Sequence, residues 1–230
     1  YVRTDGKNPP GLYSIEINEI GERSFSYWRD QSPSKYIFLG SKGKKLAREI
    51  KNADVFYYTG ISAGILDAKQ KKDLIKIGST AVICGFDFNY RSQLHNNKKV
   101  SQLLFKKISE NVDINFVSFD DVKELFDIKN PYEVFEILND KKNLILIRYK
   151  DSIIFKNKQE VIKTVKVCHG EVVDTTAAGD AFNGSFLALI NNDKNISIEE
   201  NILKSHSVTR EVIKHKGAII SNKNMPNINN

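Results

Sequence analysis

The sequence predicts an α/β fold built on a mostly parallel central sheet, and two patterns carry that prediction. Four short apolar runs, 55–59 (VFYYT), 81–86 (AVICGF), 114–118 (INFVS) and 144–147 (LILI), read as strands buried on both faces. Helical patterns lie between them: Val100, Leu103, Leu104 and Ile108 share one face, as do Val122, Leu125 and Phe126. Strands alternating with helices imply βαβ units.

Ahead of these runs, residues 12–17 and 24–29 cluster apolar and aromatic side chains around Asn18, Glu19, Ile20, Gly21 and Glu22, which predicts a β-hairpin. Near the other end, Phe182, Ser185, Phe186, Leu189 and Ile190 form an i, i+3, i+4, i+7, i+8 stripe. Ile198, Ile202, Thr209, Val212 and Ile213 repeat the period in a following helix. The tail 221–230, rich in Asn and carrying Pro226, is expected to fray. In an open α/β sheet ligands bind beyond the carboxyl ends of the strands, so chemistry is sought just after each apolar run.

Composition narrows the function classes. With 40% hydrophobic and 27% charged residues the chain is neither disordered nor collagen-like. Its 230 residues suit one large domain, or one domain with a small appendage. No apolar run approaches the ~18 residues of a membrane-spanning helix. Cys84 and Cys168 cannot build a disulfide framework, so a reducing, cytoplasmic setting is expected. The net charge of +7 comes from 28 Lys against only 7 Arg, beside 22 Asn, as an AT-rich coding sequence would produce. Base readers rely on Arg, and no basic block is interleaved with aromatics, which argues against nucleic-acid binding. The lysines at 42–45, 69–72, 98–99 and 141–142 read as solvated helix ends and loops. Cys168 and His169 lack a second pair at metal-ligand spacing. Cys84 falls in a buried run and reads as a core residue, and His95 and His215 carry no argument.

Chemistry concentrates in residues 172–182, VVDTTAAGDAF. A β-branched lead-in ends at Asp174, small residues Ala177, Ala178 and Gly179 follow, and Asp180 stands at the mouth of a helix. Small side chains let backbone N–H groups approach a ligand, and a helix N-terminus adds unpaired donors and positive potential. Such a turn suits an anion. A carboxylate beside it repels phosphate, but makes sense if it takes a proton from a hydroxyl while the N–H groups hold a phosphoryl group in transfer. The structural alternative makes Asp174 a turn cap and Asp180 a helix N-cap.

The run Asp174-Thr175-Thr176-Ala177-Ala178-Gly179-Asp180-Ala181-Phe182 resembles the C-terminal signature of the ribokinase-like (PfkB) carbohydrate kinases, DTTGAGDAF. Pro10-Gly11-Leu12-Tyr13, the 21–29 run, Thr59-Gly60-Ile61-Ser62, Asp87-Phe88-Asn89-Tyr90-Arg91 and His215-Lys216-Gly217-Ala218-Ile219-Ile220 are similar to the 2-keto-3-deoxygluconate kinases in particular. Ala177, where most relatives have Gly, also occurs in that subgroup. The resemblance runs from about Pro9 to Pro226 and begins partway into the family's pattern. It implies a three-layer sandwich with a small β lid, residues 1–35 supplying a hairpin of the lid and 36–230 the nucleotide- and sugar-binding core. The family's first strands are not matched, so an N-terminally incomplete chain and an exposed sheet edge are expected.

The resemblance also implies roles. Asp180 would be the catalytic base, and backbone N–H groups along Ala177, Ala178, Gly179 and Asp180 the anion hole. Tyr13, Tyr27 and Arg29 would contact a sugar acid from the lid, Arg through bidentate pairing with its carboxylate. Asn89 and Arg91 would face the sugar and the phosphates. Ser118, Arg148, Tyr149, Asp174 and His206 would lie on the nucleotide side. ATP and Mg²⁺ are the implied cofactors, a homodimer through the lid an implied partner state. Two departures stand out within the matched region. Tyr149 replaces a Gly beside the nucleotide, and an Asn-x-x-Glu motif tied to Mg²⁺ reads Ser118-Phe119-Asp120-Asp121, leaving Asp121 as the metal carboxylate. The reading is a kinase for a sugar acid, with another hexose or pentose kinase, or a non-catalytic sugar-acid binder, as alternatives.

Overall fold

The computed structural model of the chain describes residues 4, 6–17, 23–138, 143–157, 161–168 and 170–228. The hairpin turn expected at 18–22, the lysines at 141–142, His169 and the last two residues lie outside them.

Strands β1 (Leu12–Ile17) and β2 (Arg23–Trp28) pair antiparallel, with Tyr13 opposite Tyr27 and Leu12 opposite Trp28. A 3₁₀ turn, Pro33–Tyr36, leads into α1 (Gly40–Lys51). The chain then runs β3 (Val55–Thr59), α2 (Gly60–Ile65), α3 (Ala68–Gly78), β4 (Ile83–Asp87) and α4 (Lys98–Ser109). It continues through β5 (Ile114–Ser118), α5 (Phe119–Phe126), α6 (Glu133–Ile137) and β6 (Leu144–Tyr149). Strands β7 (Ser152–Lys156) and β8 (Ile162–Lys166) precede α7 (Ala178–Asn192) and α8 (Ile198–Val212).

The central sheet has the order β3-β4-β5-β6-β7-β8. Its first four strands are parallel, and β7 and β8 extend it antiparallel. All four predicted strands are present. β7 and β8 were not anticipated: β8 (IKTVK) is largely exposed and carries little apolar signal, whereas β7 (SIIFK) is buried and its Ile153-Ile154-Phe155 run did carry one. The central strands are buried almost throughout, whereas β3 is an edge strand and only partly buried.

Strand periodicity sorts the apolar side chains into two cores. Ile145 and Ile147 face one layer with Val117, Phe86, Phe105, Val122 and Leu125, beneath the helices α2 to α6. Leu144, Leu146 and Phe116 face the opposite layer with Phe182, Phe186 and Ile202 of α7 and α8. The sheet is therefore the middle of a three-layer sandwich.

Gly60 shows how closely the loops are drawn in. A Cβ there would lie 2.0 Å from the carbonyl oxygen of Phe88 and 2.7 Å from the Phe105 ring. Only glycine lets α2 begin against the segment that follows β4, which carries Asn89 and Arg91.

The lysines at 42–45 and 69–72 fall at the N-terminal ends of α1 and α3, and Lys98 and Lys99 open α4. In the tail, residues 222–224 form a 3₁₀ turn, and Met225, Pro226 and Ile228 line a groove with α7 and α8. Among the described residues no helix is long and apolar enough to cross a membrane.

Candidate active site

The carboxyl ends of β3 to β6 converge with the start of α7, and the site is assembled there. In parallel register Thr59 of β3 lies beside Asp87 of β4, and Ser118 of β5 beside Arg148 of β6. Residues far apart in sequence are thereby aligned along one edge.

The turn before α7 is built on backbone strain. Ala177 has φ = 61°, in the left-handed region that favours glycine, and it caps α7 without a side-chain hydrogen bond. Asp180 is therefore not the N-cap. It occupies the third position of the helix, and its side chain is exposed. Of the anion-hole donors expected from sequence, the Ala178 N–H donates to the carbonyl of Thr175 at 3.1 Å and is already engaged. The first-turn N–H groups of Gly179 and Asp180 have no acceptor within a helix.

Asp174 holds the turn in place. Its Oδ1 accepts from the Thr176 N–H at 2.8 Å and its Oδ2 from the Gly217 N–H at 2.9 Å, 43 residues away. Those bonds give it a structural task, tying the turn to the segment after α8.

Beneath the turn lies a polar network anchored on two buried residues, Asp87 and Asn183. Arg148 Nη1 donates to Asn183 Oδ1 at 2.8 Å, and Arg148 Nη2 lies 3.6 Å from Asp87 Oδ1. Asn183 Nδ2 donates to Asp87 Oδ2 at 2.9 Å and to the Tyr57 hydroxyl oxygen at 3.0 Å. The same Arg148 guanidinium stands 3.5 Å from where a Cβ on Gly179 would be, so it flanks the helix N-terminus. Asp87 is buried, and desolvation raises its pKa; Arg148 opposes that shift and the Asp180 charge adds to it. Burial and the Asp87 charge likewise push up the Tyr57 hydroxyl, which stays protonated.

A second pair sits alongside. Arg91 Nη1 donates to the Tyr90 carbonyl at 2.7 Å and to Asp121 Oδ1 at 3.2 Å. Burial raises Asp121 to a pKa of about 6, against the opposing pull of Arg91. Asn89 has φ = 32°, and its buried Oδ1 has no hydrogen-bond partner.

Other predicted residues form separate groups. Tyr13 and Tyr27 stand with ring centroids 6.3 Å apart on the hairpin, and the Arg29 guanidinium lies 4.1 Å above the Tyr27 ring. Tyr149 meets Phe119 edge-on at 4.9 Å, with the Lys150 ammonium 5.1 Å from its ring. His206 Nε2 is 2.9 Å from the Cys168 carbonyl oxygen. Ser118 is the first residue before α5 and makes no side-chain cap there.

Sequence reasoning missed Tyr57, Asp87 and Asn183. Two of them carried a usable signal. Asp87 is the first polar residue after a buried run, and Asn183 lies three positions after Asp180, on a neighbouring part of the same helix. A groove of about 560 Å³ opens beside Asp180, lined by Ala181, Ala188, Val208 and Val212 among others. Among the described residues no three His, Cys, Asp or Glu side chains cluster at metal-binding range.

Solved structures share this architecture. A 2-dehydro-3-deoxygluconokinase from Thermotoga maritima superposes with a TM-score of 0.76 over 95% of this chain and 74% of its own, at 18% identity. A fructokinase with bound ATP from Xylella fastidiosa superposes with a TM-score of 0.71 over 98% of this chain and 74% of its own, at 20% identity. The fold is that of the ribokinase-like kinases. The family model for pfkB family carbohydrate kinases matches residues 1–225, and the chain belongs to that family. Within it, the chain is 33% identical over 228 residues to a 2-dehydro-3-deoxygluconokinase from Haemophilus influenzae, spanning 96% of this chain and 72% of that one.

Proposed function

We propose that this sugar kinase transfers the γ-phosphoryl group of ATP to the terminal hydroxyl of 2-keto-3-deoxygluconate, giving the 6-phosphate and ADP. One observation carries the reading: an exposed Asp180 carboxylate in the first turn of α7, beside open backbone N–H groups and a guanidinium. In the proposed step the substrate hydroxyl oxygen forms a bond to the γ-phosphorus as the bond to the ADP oxygen breaks. Asp180 accepts the hydroxyl proton. The N–H groups of Gly179 and Asp180, together with Arg148, stabilise the charge on the transferring group.

ATP as donor is supported by the ATP-bound fructokinase of like fold. The site offers carboxylate oxygens that fit a divalent cation: Asp87 Oδ1 has no hydrogen-bond donor, and Asp121 stands in the first turn of α5 at the same sheet edge. Asp121 would hold Mg²⁺ with the nucleotide phosphates completing its shell, and the ion would neutralise phosphate charge. Ser118 and Tyr149 lie at the same strand ends as Arg148 and are assigned to the nucleotide side, with His206 and Asp174 as outlying members.

The acid sugar is supported by the hairpin, where Tyr13, Tyr27 and Arg29 form one cluster of two phenols and a guanidinium, and by the likeness to 2-dehydro-3-deoxygluconokinases. Arg91 and Asn89 complete the sugar side. Residues 1–35 act as the lid, 36–230 as the core. Leu12 and Trp28, opposed and exposed on the hairpin, support pairing of two lids in a homodimer. Free Cys84 and Cys168 are consistent with a reducing cytoplasm.

The test is ADP release measured with a panel of aldonic and keto-deoxy sugar acids, fructose and ribose. A preference for 2-keto-3-deoxygluconate is expected. Equal turnover of fructose or ribose overturns the acid-sugar assignment, and tight sugar-acid binding with no ADP release overturns catalysis.

A further inference from the structure

We infer that Asn183 is a positioning residue that aims the Arg148 guanidinium at the anion-binding turn, with Asp87 and Tyr57 fixing Asn183 in turn. This rests on the assignment of Arg148 to the phosphate side of the site.

Asn183 is an unusual occupant of its position. It lies in the interior of α7, it is fully buried, and Asn is a poor helix former. A buried amide is tolerated only when its donors and acceptor are used. Here they are used in one arrangement. Both amide protons are committed, one to Asp87 Oδ2 at 2.9 Å and one to the Tyr57 hydroxyl oxygen at 3.0 Å. Tyr57 gives its own proton to Asp87 Oδ2 at 3.4 Å, so its oxygen is free to accept. That leaves Asn183 Oδ1 facing Arg148 Nη1 at 2.8 Å. Turning the amide over would set its NH₂ against a guanidinium that can only donate, and would present an oxygen to a carboxylate. The amide therefore has one workable orientation, and it offers Arg148 an acceptor.

The consequence falls on the anion turn. Arg148 comes from β6, and nothing in that strand dictates where its long side chain ends. Asn183 is one helical turn below Gly179 and Asp180 on α7 itself. Anchoring the guanidinium to that helix references it to the N–H donors it must work with. Asp87 Oδ1, 3.6 Å from Nη2, adds charge without a hydrogen bond, so the geometry is left to Asn183. A carboxylate at position 183 would compete with phosphate for Arg148. A neutral amide orients it without adding a second negative charge to that of Asp87.

The experiment is a double-mutant cycle on MgATP affinity by isothermal titration and on kcat/KM for phosphoryl transfer, using Asn183→Ala, Arg148→Ala and the pair. Each single change is expected to weaken nucleotide binding by about tenfold or more, as for a lost hydrogen bond to a charged group. Because Asn183 acts through Arg148, the double variant should be no worse than Arg148→Ala alone. Losses that multiply, or an Asn183→Ala variant with wild-type affinity and turnover, overturn the inference while leaving the role of Arg148 intact. An Arg148→Ala variant with unchanged affinity and turnover overturns the phosphate-side assignment and this inference with it. Thermal melts accompany the cycle. If Asn183→Ala does not fold, Asn183→Ser, which keeps an oxygen on the helix, and Tyr57→Phe, which removes one anchor, take its place under the same criteria.

Discussion

Arg91, in the loop after β4, donates to Asp121 in the first turn of α5 at 3.2 Å, and this bond joins two successive βα units at the sheet's carboxyl edge. The pair is asymmetric: the Arg91 side chain is 38% exposed and that of Asp121 19%. Arg91 can be rehydrated when the bond breaks, whereas the more enclosed Asp121 is left without its counter-charge. Arg91→Met should therefore lower unfolding free energy by about 1–2 kcal/mol in urea denaturation. Adding Asp121→Asn to that variant should recover part of the loss. A second substitution that only deepens it would show that the bond does not set the cost.

The proposed base has a direct test. Asp180→Asn keeps the size of the side chain but cannot take a proton. Turnover should fall by at least ~10²-fold with little change in sugar affinity. Single-turnover phosphate transfer and equilibrium sugar binding, measured on the same preparation, separate the two. Retained turnover would remove Asp180 from the mechanism.

Ala177 carries a backbone conformation that an L side chain adopts at a cost. With φ = 61° at the helix cap, Ala177→Gly should raise stability by about 1 kcal/mol, read as a higher melting temperature. A fall in melting temperature would mean that the Ala177 methyl makes a packing contribution larger than the strain it introduces.

His95 predicts a pH dependence of stability from a group with no assigned part in the chemistry. Its ring stacks on Tyr90 at 5.1 Å and meets Phe105 edge-on at 5.4 Å, and its buried Nε2 has no hydrogen-bond partner. Burial first, and then the nearby Lys71 charge, hold its pKa below the ordinary 6.5. The unfolded chain thus takes up a proton at pH values where the folded chain does not. Stability is fully present above pH 6.5 and is lost as pH falls below it. The slope of stability against pH between pH 5 and 6.5 should be smaller in His95→Phe than in the wild type. An unchanged slope would assign it to other groups.

The strands were legible because burial on both faces leaves a local signature, an unbroken apolar run such as INFVS or LILI. The antiparallel extension was not, since β8 is mostly exposed and its pairing with β7 depends on register rather than composition. The small residues at 177–179 before a helix were legible as a close-approach turn, which the proposed function takes as an anion site. Which of its donors remain open was not: the engagement of the Ala178 N–H by Thr175 is a matter of backbone geometry. Likewise Asp174 was read as a nucleotide-side residue, and only the fold shows it bridging to Gly217.

The sequence by itself determined the alternation of strands and helices, the mostly parallel sheet and the place of the Asp180 turn, because periodicity and a short run of small residues act locally. Only the tertiary structure decided what surrounds that turn. Tyr57, Asp87, Arg148 and Asn183 span 126 positions from first to last, and they meet because parallel β3, β4 and β6 bring their carboxyl ends to one edge, over which α7 is laid. Each of those residues, read alone, is an ordinary polar side chain. Asp87 and Asn183 are buried and have lost water as a partner, so they bond to Tyr57 and Arg148, and that holds the partly exposed guanidinium beside the helix N-terminus.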